Sequence, residues 1–294
     1  MGLRANPTYR QRRFGAEVRA IRERAGFTAA RAAEVMGMNA SHISTVEAGR
    51  TSLSAERVRR LAAASGSEES TYVDALIELG NRTGKGWWTE YRDHLPQLFL
   101  DFAELEEVAV DVVCYEPFFV PGLLQTESYA SVIHRQGYAK SLEAEQDLAV
   151  EFRLRRQQLL RKERPPRFHA IIHEAALHPS YGDSSIMREQ LVRLIELSRL
   201  SHVTLQVLPF DGPVPFGTSF TMLLPPEQRL GTVLVAHVEQ DLWLGEAKDL
   251  ARYTDLFATL RDTALPAMDV SVPPEGHLAK DSLGLIQRLL YPLL

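Results

Sequence analysis

At 294 residues, 45% hydrophobic and 24% charged, the chain is long enough for two domains with buried cores and has the balance of a globular protein, not of a disordered or fibrous one. A single cysteine, Cys114, rules out an intramolecular disulfide, and no run approaches the roughly 20 apolar residues a membrane span needs. The formal charge of −5 is unevenly divided: residues 1–66 hold 12 Arg, no Lys and 5 Glu, a net of +7, which leaves −12 for the remainder. The opening MGLRANPTYRQRRF lacks the apolar core of a secretory signal. Together with the lone thiol this predicts a cytoplasmic protein, nucleoid-associated if it binds DNA.

The first stretch with strong local signals is 28–50, TAARAAEVMGMNASHISTVEAGR. Its spacing predicts two short helices joined by a tight turn. Thr28 is the expected N-cap of the first, with Ala32, Ala33 and Met36 inward and small enough to admit a neighbouring helix. Gly37 stands where the chain must turn, at an expected positive φ. Asn39 is the expected cap of the second helix, which runs to about Ala48 and ends at Gly49. Ile43 and Val46, three apart, face inward. Asn39, Ala40, Ser41, His42 and Thr45 fall mainly on the other side, short enough for close approach to base edges in a DNA groove. A helical hairpin that merely packs is the bland alternative.

Ala33, Gly37, Ile43, Ser44, the Glu47–Gly49 helix end and Arg50 make this stretch resemble the helix-turn-helix of lambda-repressor-like, Xre-type regulators. The resemblance implies a five-helix domain, with further helices at about 11–25 (Phe14, Val18 and Ile21 inward), 54–64 and 68–80. It places Ala40, Ser41 and Thr45 at base-contacting positions and Thr28 and Arg50 near phosphates. The family usually has Gln after the second helix's cap; here it is Ala29. The Arg-rich composition suits phosphate, because a guanidinium donates two hydrogen bonds at once. Arg10, Arg12, Arg13, Arg31 and Arg50 are the expected phosphate contacts, while Arg19, Arg22 and Arg24 read as a solvated face.

GNRTGKG at 80–86 reads as a linker, giving a head at 1–80, a linker at 81–86 and a body at 87–294. In the body, 88–94 and 97–109 are expected helices, the second with Leu98, Phe102, Leu105 and Ala109 on one face. Val110–Tyr115 reads as a strand. Helices follow at 125–136 and 142–163, the latter with a basic stretch of Arg153, Arg155, Arg156, Arg161, Lys162 and Arg164. Then come a strand Phe168–Glu174, a helix Ser185–Leu200, strands Val203–Leu208, Ser219–Leu224 and Thr232–Val238, and helices Ala247–Thr263 and Leu283–Leu290. Residues 266–281 read as a Pro-rich loop. The expected fold class is α+β: an all-α five-helix head and a larger mixed α/β body with a mixed sheet.

WWTEYRDHLPQLFLDFAELE, YEPFFVPGLLQTESYA, FRLRRQQLL, RFHAIIHEAAL and MREQLVRLIELSRLSHVTLQVLPF resemble the actinobacterial domain of unknown function that follows an Xre-type helix-turn-helix in WhiJ-like, antitoxin-like regulators. The resemblance covers about 87–265. It implies a transcriptional regulator, often encoded beside a small acidic or BldB-like partner that behaves as a toxin or co-regulator. The family's usual Asp-Glu-Ala-Ala-Leu is His173-Glu174-Ala175-Ala176-Leu177 here.

Three kinds of site are weighed in the body. The aromatic, Pro-rich segment 115–126 is a candidate ligand or partner site lined by Phe118, Phe119, Leu123, Leu124 and Gln125, the alternative being a turn that plugs the core. Trp87 and Trp88 join that set, with pinning of the head to the body as their alternative. Strand alternation groups His169 with His173, and His237 with Glu239, a donor set for zinc only if the two faces met. No local ligand motif supports such a site, so no metal or cofactor is expected. No P-loop, Gly-x-Ser-x-Gly or Cys–His arrangement is present, and FGTSF at 216–220 is a glycine turn, so no catalytic residue is expected. One helix-turn-helix reads few base pairs, which predicts a homodimer on double-stranded operator DNA, with helices 97–109 and 142–163 as its surface. The expected function is sequence-specific transcriptional regulation with a signal- or partner-sensing body. The alternative is an antitoxin-like protein that neutralises a small partner and autoregulates. A small-molecule effector remains open, and no membrane association is expected.

Overall fold

The Arg-rich segment begins with α1 (Tyr9–Arg24), held at its start by a reciprocal cap: Thr8 Oγ1 accepts from Gln11 N, and Gln11 Oε1 accepts from Thr8 N at 2.9 Å. In the computed structural model the described residues are 6–66, 69–137, 143–178, 183–212, 218–237, 241–272 and 280–294. The chain divides into two compact units, 1–105 and 106–294.

The first unit continues with α2 (Ala29–Met36), α3 (Ser41–Glu47), α4 (Ala55–Ala64) and α5 (Ser70–Asn81), the five helices the resemblance implies. Its core is apolar: Phe14, Val18, Ile21, Ala33, Met36, Ile43, Val46, Val58, Leu61 and Leu76 are buried. A 3-10 turn at Trp87–Tyr91 and the start of α6 (Gln97–Val108) belong to the same unit. The glycines at 80–86 therefore do not mark the division. The reason is polar: Tyr9 N donates to Asp101 Oδ2 at 2.9 Å, and Arg10 pairs with Glu104 at 2.5 Å, both groups nearly solvent-free. These bonds tie 97–105 to α1. They also shift the expected apolar face of α6: Leu105 and Ala109 are buried as expected, but so are Leu100, Asp101, Ala103 and Glu104, while Leu98 and Phe102 are only half-buried.

The second unit is a six-stranded mixed sheet, ordered β3-β2-β1-β4-β5-β6: β1 (Asp111–Glu116), β2 (Arg167–His173), β3 (Val203–Leu208), β4 (Phe220–Leu224), β5 (Thr232–Val235) and β6 (Leu242–Leu244). Strands β1, β2 and β3 run parallel, with Cys114 opposite Ala170 and Ala170 opposite Leu205. Parallel strands need long crossovers, and α7 (Glu127–Gly137), α8 (Glu143–Arg156) and α9 (Ser184–Leu197) supply them. From β1 the sheet turns antiparallel through β4, β5 and β6. The sequence reading missed β6, whose three residues are too short for a periodicity signal. It also ended α8 too late: the helix stops at Arg156, and a 3-10 turn spans Gln157–Arg161.

One sheet face packs Tyr115, Ile171, Leu208, Phe220, Met222, Val233 and Val235 against Leu250, Phe257 and Leu260 of α10 (Ala247–Thr263). The other face buries Val112, Cys114, Phe168, Ala170, Ile172, Leu205 and Val207. Burial pushes the Cys114 thiol well up, which leaves it in its unreactive protonated form. The β3 edge is closed by the chain itself. Leu265 N and Met268 N donate to Val207 O and Leu205 O, each at 2.9 Å, and Val207 N donates to Ser282 Oγ of α11 (Ser282–Leu290).

Candidate nucleic-acid interface

The geometry of 28–50 follows from local signals. Thr28 Oγ1 accepts from Arg31 N at 3.2 Å, and α2 ends on Gly37 at φ 61°, the left-handed conformation a side chain would disfavour. Ala32, Ala33 and Met36 face inward as expected, and Ile43 and Val46 of α3 are each 1% exposed. The Asn39 cap does not form. Helix α3 starts at Ser41 without a side-chain cap, and the backbone carbonyls of Asn39 and Ala40 accept from His42 N and Ile43 N. The Asn39 side chain is thus not held at the helix end, and the residue is exposed beside Ala40, Ser41 and His42. Thr45 is half-buried, with Oγ1 donating to His42 O at 2.7 Å.

Helix α3 is held in place from two sides. Arg22 of α1 grips Glu47 through Nε at 2.5 Å and Nη2 at 3.0 Å, and its Nη1 reaches Phe27 O. Glu47 accordingly holds the Arg22 guanidinium further into its charged form. Arg22 is therefore a positioning residue and not part of a solvated face; a partner 25 residues away leaves no local trace. Gly15 lets α1 meet α3 directly, since a Cβ there would lie 2.5 Å from both Val46 O and Glu47 O.

The expected phosphate contacts separate by environment. Arg10 and Arg13 are 4% and 7% exposed and point inward, Arg10 to Glu104 and Leu79 O, Arg13 to Glu17 at 2.9 Å. This corrects both assignments: a guanidinium sealed against a carboxylate cannot reach a phosphate. Arg12 stays half-exposed, donating to Pro7 O at 2.7 Å. Arg31 is exposed in a surface pair with Glu34, and Thr28 is exposed at the α2 start. Arg50 is exposed just after α3 and makes no ion pair among the described residues. Arg57, which the sequence reading passed over, donates from Nη2 to Gly37 O at 3.4 Å and braces the turn from α4.

The candidate residues of the body do not form one lining. Leu123, Leu124 and Gln125 are 4%, 0% and 2% exposed, whereas Phe118 and Phe119 are 62% and 38% exposed. Hydrogen bonding explains the split. Gln125 Nε2 donates to Val120 O, Gln157 Nε2 to Gly122 O and Gln125 O, and Gln190 Nε2 to Leu124 O, while Arg153 Nη1 donates to Gln125 Oε1. The turn is thus locked into the core, with Phe118 and Phe119 outside it. Trp88 is buried and Trp87 half-buried, their rings edge-to-face at 6.0 Å, so Trp88 is a packing residue.

The histidines are spread apart as well. Strands β2 and β5 are separated by β1 and β4, so the faces weighed as a metal site do not meet. Gln206 Nε2 donates to Arg261 O and Leu265 O, which orients its Oε1 to accept from His169 Nε2 at 2.7 Å. His173 Nδ1 accepts from Ala175 N at 3.0 Å. There the imidazole caps the 3-10 turn Glu174–Leu177, a role short polar side chains usually take. Burial lowers both pKa values; at His173 this favours the neutral ring that an accepting Nδ1 requires, while at His169 the bond to Gln206 opposes the shift. His237 N donates to Asp241, and Glu239 lies outside the described residues.

An exposed second helix on a glycine turn, braced from behind and set in an Arg-rich five-helix unit, defines a helix-turn-helix protein that binds DNA as a regulator. A family model described as a helix-turn-helix domain matches residues 13–71. A second, Domain of unknown function (DUF5753), matches residues 99–270, more than half of the chain, and the chain belongs to that family. No curated protein and no solved structure matches it. Among the described residues no helix is long and apolar enough to cross a membrane.

Proposed function

We propose that this is a cytoplasmic, sequence-specific transcriptional regulator of the Xre type, related to the WhiJ-like actinobacterial regulators, acting as a homodimer on a two-fold operator. The observation that carries the reading is the outer face of α3: Asn39, Ala40, Ser41 and His42 are exposed together, with Arg50 exposed at the far end and in no ion pair among the described residues. Such a face admits base edges, and Arg50 adds charge for phosphate. Thr28, Arg12, Arg31 and Arg50 are the proposed phosphate contacts. Ala149, Val150 and Phe152 of α8 are buried, so the dimer surface is not assigned to that helix, whereas Leu98, Phe99, Phe102 and Val108 of α6 stay half-buried. The body senses a signal and is not catalytic. A ligand can shift regulation only by favouring one arrangement of the protein over another.

The antitoxin-like reading draws on Phe118 and Phe119. Two exposed aromatic rings on a turn with a buried, hydrogen-bonded base suit a small protein partner better than a small molecule in a pocket. The deciding experiment is fluorescence anisotropy of the full chain on the intergenic DNA upstream of its own gene, against scrambled DNA, over a salt series. Selective binding with a steep salt slope is expected. Equal, weak binding to both DNAs, abolished together by salt, would overturn the regulator reading.

A further inference from the structure

The recognition face is short of hydrogen-bonding reach. Helix α3, SHISTVE, contains no Arg, Lys, Asn or Gln, the side chains that make bidentate contacts to guanine or adenine, and the exposed Asn39 just before it supplies one such side chain. Two of its hydroxyls are already occupied: Thr45 Oγ1 donates to His42 O at 2.7 Å, and Ser44 Oγ donates to Ser41 O at 3.3 Å. Thr45 Oγ1 also lies 3.4 Å from Thr51 Oγ1, a second tie on the same atom. A threonine hydroxyl held against its own helix turns the γ-methyl, on the other branch of Cβ, away from that carbonyl. Ala40, exposed at the start of the helix, presents only a methyl.

We propose that α3 reads its half-site through the methyl groups of Ala40 and Thr45, and that the base they select is thymine. In the major groove thymine alone carries a C5-methyl, and apolar side chains recognise it by excluding water. Asn39, Ser41 and His42 supply the hydrogen bonds at flanking positions. The inference rests on the proposed function, since it requires α3 to enter the major groove. It adds the class of base pair that this groove must offer.

The test uses the full-length protein and a duplex it selects from a random-sequence pool. Each thymine of a half-site is replaced in turn by deoxyuridine, which removes the methyl and leaves the O4 acceptor and base pairing unchanged. Loss of one buried methyl weakens binding roughly three- to five-fold, and this is expected at one or two thymines per half-site. The thymine-to-uracil ratio should fall to about one in the double variant Ala40→Gly, Thr45→Ser, and persist in Thr45→Val, which keeps the methyl branch. Circular dichroism melts check that both variants fold. If every uracil duplex binds like its parent while the parent still outcompetes scrambled DNA, the regulator stands and thymine reading is overturned. The same follows if the double variant keeps the ratio. If the parent does not outcompete scrambled DNA, the regulator reading itself fails, and this inference with it.

Discussion

Arginines close together in the chain have opposite fates in the first unit. Arg10 lies against Glu104 in nearly dry surroundings, where removing one partner strands a buried charge at a cost of about 3–5 kcal/mol, whereas Arg22 and Glu47 pair in part-buried surroundings. Arg31 and Glu34 form an exposed pair three residues apart, worth roughly 0.2–0.5 kcal/mol. Arg50 has no such partner among the described residues, so its charge is available to a polyanion. Arg50→Ala should therefore weaken DNA binding by a similar factor for every sequence and lower the slope of log affinity against log salt by about one, as anisotropy titrations would read. A loss confined to one sequence would mean that Arg50 reads bases. None of these differences is visible in the local sequence, where each is an Arg on a helix or just after one.

Close approach decides matters at the scale of elements. Gly15 permits α1 to touch the end of α3, and a methyl there would meet two backbone oxygens that cannot swing aside. Gly15→Ala should lower the unfolding free energy by about 1–3 kcal/mol, measured by thermal melting, and weaken DNA binding, because the shift displaces α3. An unchanged melting temperature would show that the α1–α3 contact is looser than described. Helix α6 illustrates the limits of periodicity. Apolar spacing selected Leu98, Phe102, Leu105 and Ala109, of which Leu105 and Ala109 are buried, yet the helix also buries Asp101 and Glu104 beside Leu100 and Ala103. Burial raises the Asp101 carboxyl pKa, opposed by hydrogen bonds from Gln97 and Tyr9 N. A carboxylate is drawn into a core only where a donor already waits, and here, besides the local Gln97, donors lie about ninety residues away in α1.

For the molecule as a whole, the buried His134 and the part-buried Glu116 of the second unit set opposing pH dependences. Burial, with Arg153 and Arg156 adding to it, lowers His134 from 6.5 to about 4; burial raises Glu116 from 4.5 to about 8, with Arg153 opposing. Arg156 is itself neutralised by Glu106, through bonds of 2.7 and 2.8 Å. The His134 contribution to stability is complete above pH 6.5 and is lost as pH falls toward 4, because the unfolded chain takes up the proton first. The Glu116 contribution is complete below pH 4.5 and is lost as pH rises toward 8, because the unfolded chain releases its proton first. The two effects oppose one another between pH 4.5 and 6.5, and from 6.5 to 8 Glu116 acts alone. Denaturant melts should show stability declining from pH 6.5 to 8 in the parent chain and levelling in Glu116→Gln. A decline of the same size in that variant would remove Glu116 as the cause.

What the amino-acid order determined here is whatever depends on neighbours a few residues apart. The Thr28 cap, the Gly37 turn, the inward Ile43 and Val46, the strands Val203–Leu208 and Phe220–Leu224 and the helix Ala247–Thr263 are legible, because caps, φ preferences and apolar periods act within one or two turns. The tertiary structure decided which polar groups face inward. It turned Arg10 and Arg13 away from DNA, made Arg22 a brace, gave His173 a cap's task, sealed Leu123, Leu124 and Gln125 while leaving Phe118 and Phe119 outside, and kept β2 and β5 apart. A buried charge or amide is stable only beside its partner, and nearly all of these partners are brought close by folding alone.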